Sequence, residues 1–422
     1  MLFNKYKPIL ISLSPNAESD DIKLAIKLLF SPRKWLKGDA INQLISELKK
    51  IIKVDFIYIT NSGRAALYTI LKALGIKNGD EILLQAYTCV AVANSIKWTG
   101  AKPIYVDINP QTLNMSTDDL EKKITKDSKA IIIQHTFGLP ADIDGIKKIA
   151  EKHNLKIIED CAHSLGAEYK NAATGSFGDA SFFSFGRDKI ISSVYGGAIA
   201  TNNSDLSEKI NKELNHLNNP KKTWIKQQLL HPIIFNMAIK LYGILKIGKI
   251  IIEASKKLHL TSMAVYKLEK TGGKPEFISY KMPNAIAELA LNQIRKIKRF
   301  NEHRKRIARI YDERLEKLNN NGVILPTREG NSVYLRYTIQ TDQAETIIAK
   351  AKKENILFGD WYRPPIAPQG VDQKRAGYIP GSCPKAELAA QKSLNLPTGP
   401  NILEEDANRI ADFILQQYEY KN

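Results

Sequence analysis

Apolar residues at Ile41, Leu44, Ile45, Leu48, Ile51 and Ile52 recur every three or four positions, which predicts an amphipathic helix over 41–52. The pattern then changes. FIYIT (56–60) is a short run rich in β-branched and aromatic residues and predicts a strand, after which 65–74 returns to helical spacing. The exchange repeats to about residue 203. Strands are predicted at 81–85, 102–108, 130–135, 156–160, 181–185 and 197–201, with helices at 90–98, 118–124 and 143–153. Strands that alternate with helices need right-handed crossovers, so the expected fold class is α/β: a mostly parallel mixed sheet sandwiched by helices.

Beyond residue 203 the texture differs. Residues 204 to about 275 are Lys-rich and apolar, with helical spacing and no clear strand. Pro283 to about Leu318 reads as one long helix. VYLRYTIQ (333–340) predicts a strand, and helices are predicted from Ala344 to Glu354 and from Glu404 to Tyr418. The expected division is a large domain over 1–283, carrying the basic helical insertion, then a linking helix and a smaller C-terminal α/β domain over 284–422. A chain of 422 residues, 43% hydrophobic and 25% charged, has the length for two cores and the composition of a globular protein.

Cys89, Cys161 and Cys383 lie far apart and form no C-x-x-C pair, which argues against zinc or a disulfide framework and for a reducing cytoplasm. The opening MLFNKYKPILISLSPNAESDD lacks the features of a signal peptide, and no apolar run reaches the roughly 20 residues of a spanning helix. An excess of 62 bases over 44 acids gives a net charge of +18, which favours anionic partners or simply makes a solvated Lys-rich surface. The basic residues are dispersed and no helix-turn-helix or stacking-sheet motif stands out, so no nucleic-acid partner is expected.

Ligands of open α/β sheets sit beyond the carboxyl ends of the strands. Three polar clusters fall at such ends. TNSGRAAL (60–67) follows a strand and opens a helix, whose unpaired N–H groups and positive dipole end suit a phosphate, with Gly63 allowing close approach; the bland alternative is a helix cap. EDCAHS (159–164) ends a buried strand, so Asp160 is placed to hold a protonated ring nitrogen and His163 to reach the same ring. The alternatives are a turn cap with a loop histidine, or a metal pair, for which no further ligand has suitable spacing. SFFSFGRDKIISSVYGG (181–197) runs from a buried strand through Ser184 and Lys189 to a Gly-Gly turn. A lysine among apolar residues has a lowered pKa, as a Schiff-base lysine needs, although a single lysine is more often a surface charge.

Taken together and in order, these clusters resemble fold-type I pyridoxal-phosphate (PLP) enzymes. More narrowly, the sequence resembles the DegT/DnrJ/EryC1/StrS family of sugar aminotransferases. The likeness runs from GDAINQLISELKKII (38–52) through VDINPQTLNM (106–115), HTFGLPADID (135–144), EDCAHSLGAEY (159–169) and GSFGDASFFSF (175–185) to LNLP (394–397). It implies that Lys189 carries the cofactor as its Schiff base, that Ser184 binds the phosphate with the backbone of Gly63 and Arg64, that Asp160 pairs with the pyridine nitrogen, and that His163 lies near the ring. It also implies a homodimer with shared sites, in which ISYKMPNAIAEL (278–289) brings Ser279, Tyr280 and Lys281 toward the neighbouring site. The implied reaction moves an amino group from an amino acid, with glutamate the expected donor and glutamine the alternative, to a nucleotide-linked keto sugar for polysaccharide or glycan synthesis. WYRPP (361–365) is expected near the sugar side.

Several positions depart from the family. Arg64 stands where many relatives have Thr, Cys89 where they often place a stacking aromatic ring, Tyr195 for a frequent Glu, and Ser279 for an Asn used on the phosphate. Two other readings share the fold. In sugar dehydratases of this fold a histidine replaces the lysine, so Lys189 favours transfer. A non-catalytic binding or regulatory protein would be expected to lose the lysine or the acid, and both are present. The insertion adds a separate possibility. Between Pro220 and Leu258 there are eight lysines and one acid, Glu253, interleaved with apolar residues; Pro232 is expected to break the segment, and 233–257 is helical in spacing. Such a segment over 221–258 either packs on the protein itself or in the dimer contact, or touches an inner-membrane surface peripherally.

Overall fold

The computed structural model describes residues 8–12, 15–242, 247–327 and 330–419. Its central sheet has seven strands: β1 (Phe56–Thr60), β2 (Glu81–Gln85), β3 (Lys102–Val106), β4 (Ser128–Gln134), β5 (Lys156–Asp160), β6 (Ala180–Ser184) and β7 (Gly197–Thr201). Their order is β1-β7-β6-β5-β4-β2-β3. All neighbours pair in parallel except β7, which is antiparallel to both β6 and β1. The mostly parallel mixed sheet expected from the alternation is therefore present. The exception has a simple cause. Segment 185–196 carries no helix, and a chain without a crossover helix can only turn back antiparallel.

Alternation along the strands divides the core. Phe182 and Ile199 face one side with Leu67 and Ile70 of α2 (Gly63–Ala73). Phe183 and Ala198 face the other with Leu44 and Leu48 of α1 (Ala40–Ile52). Residues 130–133 of β4 are at most 1% exposed, as a strand covered on both faces requires. A third core gathers Ile307, Tyr311, Ile339, Ile347, Leu394 and Ile410 around the antiparallel pair β8 (Tyr337–Gln340) and β9 (Ser393–Leu396). Ile9 joins this core, because Ile9–Leu10 pairs in parallel with Ile356–Leu357.

Three expectations are corrected. The basic segment is a hairpin of α3 (Lys222–Lys240) and α4 (Ile247–Lys257), and Pro232 lies inside α3 without ending it. An interior proline costs about 3 kcal/mol; burial of Ile225, Leu229 and Phe235 on both sides of it offsets that loss. The long helix expected from 283 is two, α5 (Asn284–Ile294) and α6 (Ile297–Leu315). At the break, Lys296 turns to Asp20 and Asp21, and Gln293 bonds the Asn16 carbonyl. Finally, only Tyr337–Gln340 of 333–340 is strand; the amides of Val333 and Leu335 donate instead to the carbonyls of Gly138 and Phe137.

His231 on α3 is fully buried, stacks on Phe235 at 4.0 Å, and has no partner for either ring nitrogen among the described residues. Burial, and then the charge of Arg187, hold its imidazole well below the ordinary value; burial does the same to His163. The unfolded chain therefore takes up these protons first. Stability is complete above the free imidazole value, about 6.5, and falls as pH drops below it. His231→Phe, which loses no hydrogen bond, is expected to raise the urea midpoint more at about pH 5.5 than at about pH 7.5. Equal shifts at the two pH values would show that His231 carries none of the acid sensitivity.

Candidate active site

Register brings the strand ends together. Asp160 pairs with Gln134 on one side and Phe182 on the other, while Gly197 pairs with both Ser184 and Thr60. The carboxyl ends of β1, β5 and β6 thus share one edge, and the return segment 185–196 carries Lys189 across it. Its backbone is fastened there. Asn16 Nδ2 donates to the carbonyls of Lys189 (2.6 Å) and Ile190 (3.1 Å). Arg304 Nη2 donates to Ile190 O at 2.9 Å and to Asn16 Oδ1 at 2.7 Å. Burial lowers the pKa of this guanidinium to about 9.

The Lys189 amine makes no hydrogen bond among the described residues and lies 5.3 Å from the Trp361 ring centre. Burial lowers its proton affinity; Cys89 and Asp160 oppose that, and the positive charge of Arg336 adds to it. The net shift is downward, as a lysine that must be unprotonated to react requires. Burial pushes the Asp160 carboxyl up, against the Ala162 N–H (3.0 Å to Oδ1) and the charge of Lys189. His163 accepts from the Phe137 N–H at Nδ1 (3.3 Å), which leaves its proton on Nε2, 3.2 Å from the Tyr362 hydroxyl. Its ring stacks with those of Phe137, Trp361 and Tyr362 at 5.7–6.0 Å.

Opposite the lysine, Ser62 caps α2 by accepting from the Ala65 N–H at 3.1 Å. Two glycines are required by close approach here. A Cβ on Gly63 would lie 3.0 Å from Ser184 Cβ, and one on Gly197 would lie 2.7 Å from Gly63 N. The Arg64 guanidinium pairs with the fully buried Glu269 and lies 4.8 Å from the Phe277 ring centre. Burial works against its charge, and Glu269 more than restores it. A second buried guanidinium, Arg187, donates to Ser262 O (2.5 Å) and Ser262 Oγ (2.8 Å), and that hydroxyl donates to Gln228 Oε1 of α3 at 2.6 Å.

Of the residues singled out in the sequence, Gly63, Arg64, Cys89, Asp160, His163, Ser184 and Lys189 line one cavity. Ser279 does not; its carbonyl accepts the Asn218 N–H at 2.9 Å. Cys89 precedes the helix Val90–Lys97 and its thiol is pushed up by burial. Trp361 and Tyr362, noted only as part of WYRPP, form part of the wall. Asn16 and Arg336 carried no motif, and Arg187 was passed over inside the stretch 181–197. Arg336 is 4% exposed and lies 3.9 Å from the Trp361 ring centre, and its Nε and Nη1 have no partner among the described residues. His135, Glu159 and Cys161 lie close enough to share a cation. However, Glu159 already accepts the N–H groups of Gly175, Phe177 and Gly178 at 2.7–2.9 Å, which makes it the anchor of the loop before β6.

The sequence model of the DegT/DnrJ/EryC1/StrS aminotransferase family matches residues 16–241 and 248–415. The chain is similar to the GDP-perosamine synthase of Caulobacter vibrioides, 30% identical over 83% of this chain and 82% of that protein. It is also similar to the UDP-N-acetyl-3-dehydro-alpha-D-glucosamine 3-aminotransferase of Acidithiobacillus ferrooxidans, 29% identical over 94% of this chain and 93% of that one. Among solved structures, NtdA of Bacillus subtilis with bound cofactor PMP shares the fold at a TM-score of 0.74 and 23% identity, covering 97% of this chain and 85% of that one. Among the described residues, no helix is long and apolar enough to cross a membrane.

The Arg64–Glu269 pair yields a test. Glu269→Ala leaves a buried guanidinium uncompensated and is expected to cost about 3–5 kcal/mol in urea unfolding. The double change Arg64→Met with Glu269→Leu is expected to recover most of that loss. A double variant no more stable than the single one would mean that the charge pair is not what the site depends on.

Proposed function

The chain belongs to the DegT/DnrJ/EryC1/StrS aminotransferase family, and from that membership we propose that it is a PLP enzyme that moves an amino group from an amino acid, glutamate first, onto a nucleotide-linked keto sugar. Surface polysaccharide or glycan synthesis is the process this serves. The names of the Caulobacter and Acidithiobacillus relatives, which carry GDP- and UDP-linked sugars, favour that acceptor class. The reading rests on one convergence: a buried lysine amine, a buried acid and a helix N-terminus line the same cavity.

The residues present fit the cofactor. Asp160 is a buried carboxyl whose side chain accepts one hydrogen bond among the described residues, which leaves capacity for a protonated ring nitrogen. The first-turn amides of α2 at Gly63 and Arg64, beside the Ser184 hydroxyl, border a place that suits a phosphate. When bound, PLP supplies an electrophilic carbonyl and an electron sink that lets the α C–H bond of an amino compound break. Lys189 Nζ would hold the cofactor, and its free amine would move the proton at the donor's α-carbon, first as base and then as acid. Asp160 keeps the ring nitrogen protonated. His163 stays neutral, so it adds no charge that competes with Asp160. Buried Tyr362, beside His163, keeps water from that side of the site.

In the same reading Arg336, which lines the neighbouring cavity and meets the site through the Trp361 ring, is assigned to the donor's carboxylate. A buried guanidinium with unpaired donors needs an anion, and a carboxylate matches its fork. The active unit is a homodimer in which 278–289 completes the neighbouring site, and the three free cysteines suit a cytoplasmic place of action.

Purified protein mixed with PLP is expected to show the visible absorbance band of a bound cofactor and to lose it on addition of glutamate. Borohydride should fix the adduct at Lys189, and Lys189→Ala should remove the band; a colourless protein without an adduct would overturn the reading. Arg336→Leu is expected to raise the KM for glutamate at least tenfold, on the order of one lost charged hydrogen bond, while the KM for the keto sugar stays unchanged. An unmoved glutamate KM would exclude Arg336 from donor binding.

A further inference from the structure

The family match stops at 241 and resumes at 248, between α3 and α4. Both helices thus fall almost wholly within the matched residues. The two helices meet closely: a Cβ on Gly248 would lie 2.1 Å from Ala238 O, and Ile252 packs with Phe235 and Ala238. That contact accounts for one face of α4, where Gly248, Ile252 and Ser255 are buried.

A second face of α4 is left without a partner. Ile247, Ile250, Ala254 and Leu258 follow at spacings of three, four and four, so they share one side of the helix, and all are exposed. Ile250 and Leu258 are 63% and 66% exposed, and the apolar run continues in Leu260 and Met263 at 41% and 42%. Lys249, Lys256 and Lys257 are exposed on the same short helix, which has one acid, Glu253. Soluble proteins keep contiguous apolar patches small, and a larger one marks a contact surface. The lysines decide what kind of contact. Lys257 borders the apolar face and Lys249 and Lys256 lie on the far side of the same helix, so a second copy docked through a two-fold axis would bring two basic helices together within reach of their mutual repulsion. An anionic lipid surface satisfies both features at once, with apolar side chains among the acyl chains and ammonium groups among the phosphates.

We propose that the α3–α4 hairpin docks the protein on an anionic bilayer, with α4 lying in the plane of the interface and Ile247, Ile250 and Leu258 inserted. The contact is peripheral. It does not depend on the aminotransferase reading, because none of these residues lines the active-site cavity.

The test uses the full-length protein and sedimentation with vesicles of phosphatidylcholine alone or mixed with phosphatidylglycerol. The protein is expected to pellet with the anionic vesicles, remain in the supernatant with the neutral ones, and lose binding as salt rises. Ile250→Glu with Leu258→Glu should abolish pelleting, and reversal of Lys249, Lys256 and Lys257 to Glu should weaken it on the order of a hundredfold. Circular dichroism and the PLP absorbance band serve as controls and should be unchanged in these variants, since the altered side chains already face water. No pelleting with anionic vesicles, or equal pelleting of the parent and the Ile250→Glu, Leu258→Glu variant, would overturn the proposal. Concentration-dependent self-association that the same variant abolishes, without vesicle binding, would assign the face to a second copy instead.

Discussion

A lysine whose amine has no hydrogen bond among the described residues must be held by its backbone. In this protein the hold is made by Asn16, which reaches the carbonyls of Lys189 and Ile190, and by Arg304, which reaches Ile190 and Asn16 together. Three segments remote in sequence thus meet at one loop. The arrangement is costly, since it buries a guanidinium with Nε unpaired among the described residues, and such a group is tolerated only where its other donors are well matched. What it secures is position. The loop has neither helix nor strand of its own, and the sheet alone would not fix where the amine points.

The surrounding charges follow the same logic. Burial alone would neutralise Lys189 and Asp160 by opposite shifts, and each partly restores the other. The acid next to Asp160 in sequence, Glu159, is taken out of play by three backbone N–H groups, so the strand end presents one available carboxyl. Arg64 is likewise bound by Glu269, leaving its backbone amide as its contribution to the helix end. The site is thereby reduced to a few groups with free valence.

Much of this was legible in the chain. The alternation of strand and helix gave the sheet, because each strand's period and its flanking turns are local signals. The cluster around Lys189 and the strand-end Asp160 were visible because strand ends are where such sheets bind ligands. Helix boundaries that depend on remote partners were not legible. The break at Arg295–Lys296 answers to Asp20 and Asp21, more than two hundred and seventy positions away (|i−j| = 275 for Asp21), and no local pattern reports that. Pro232 misled for the opposite reason: its local effect is strong, but packing on both sides of it prevails. Asn16 and Arg336 were silent because a lone polar residue in a sequence does not show what it will be buried beside.

The chain of contacts from Gln228 on α3 through Ser262 to Arg187 ties the hairpin to the loop that carries Lys189. Removing the hairpin would take away Gln228, the acceptor of the Ser262 hydroxyl, and with it the support of the residue on which Arg187 depends for both its hydrogen bonds. The hairpin helices and the reactive loop are therefore mutually dependent parts, and changes tolerated in one are limited by what the other still needs.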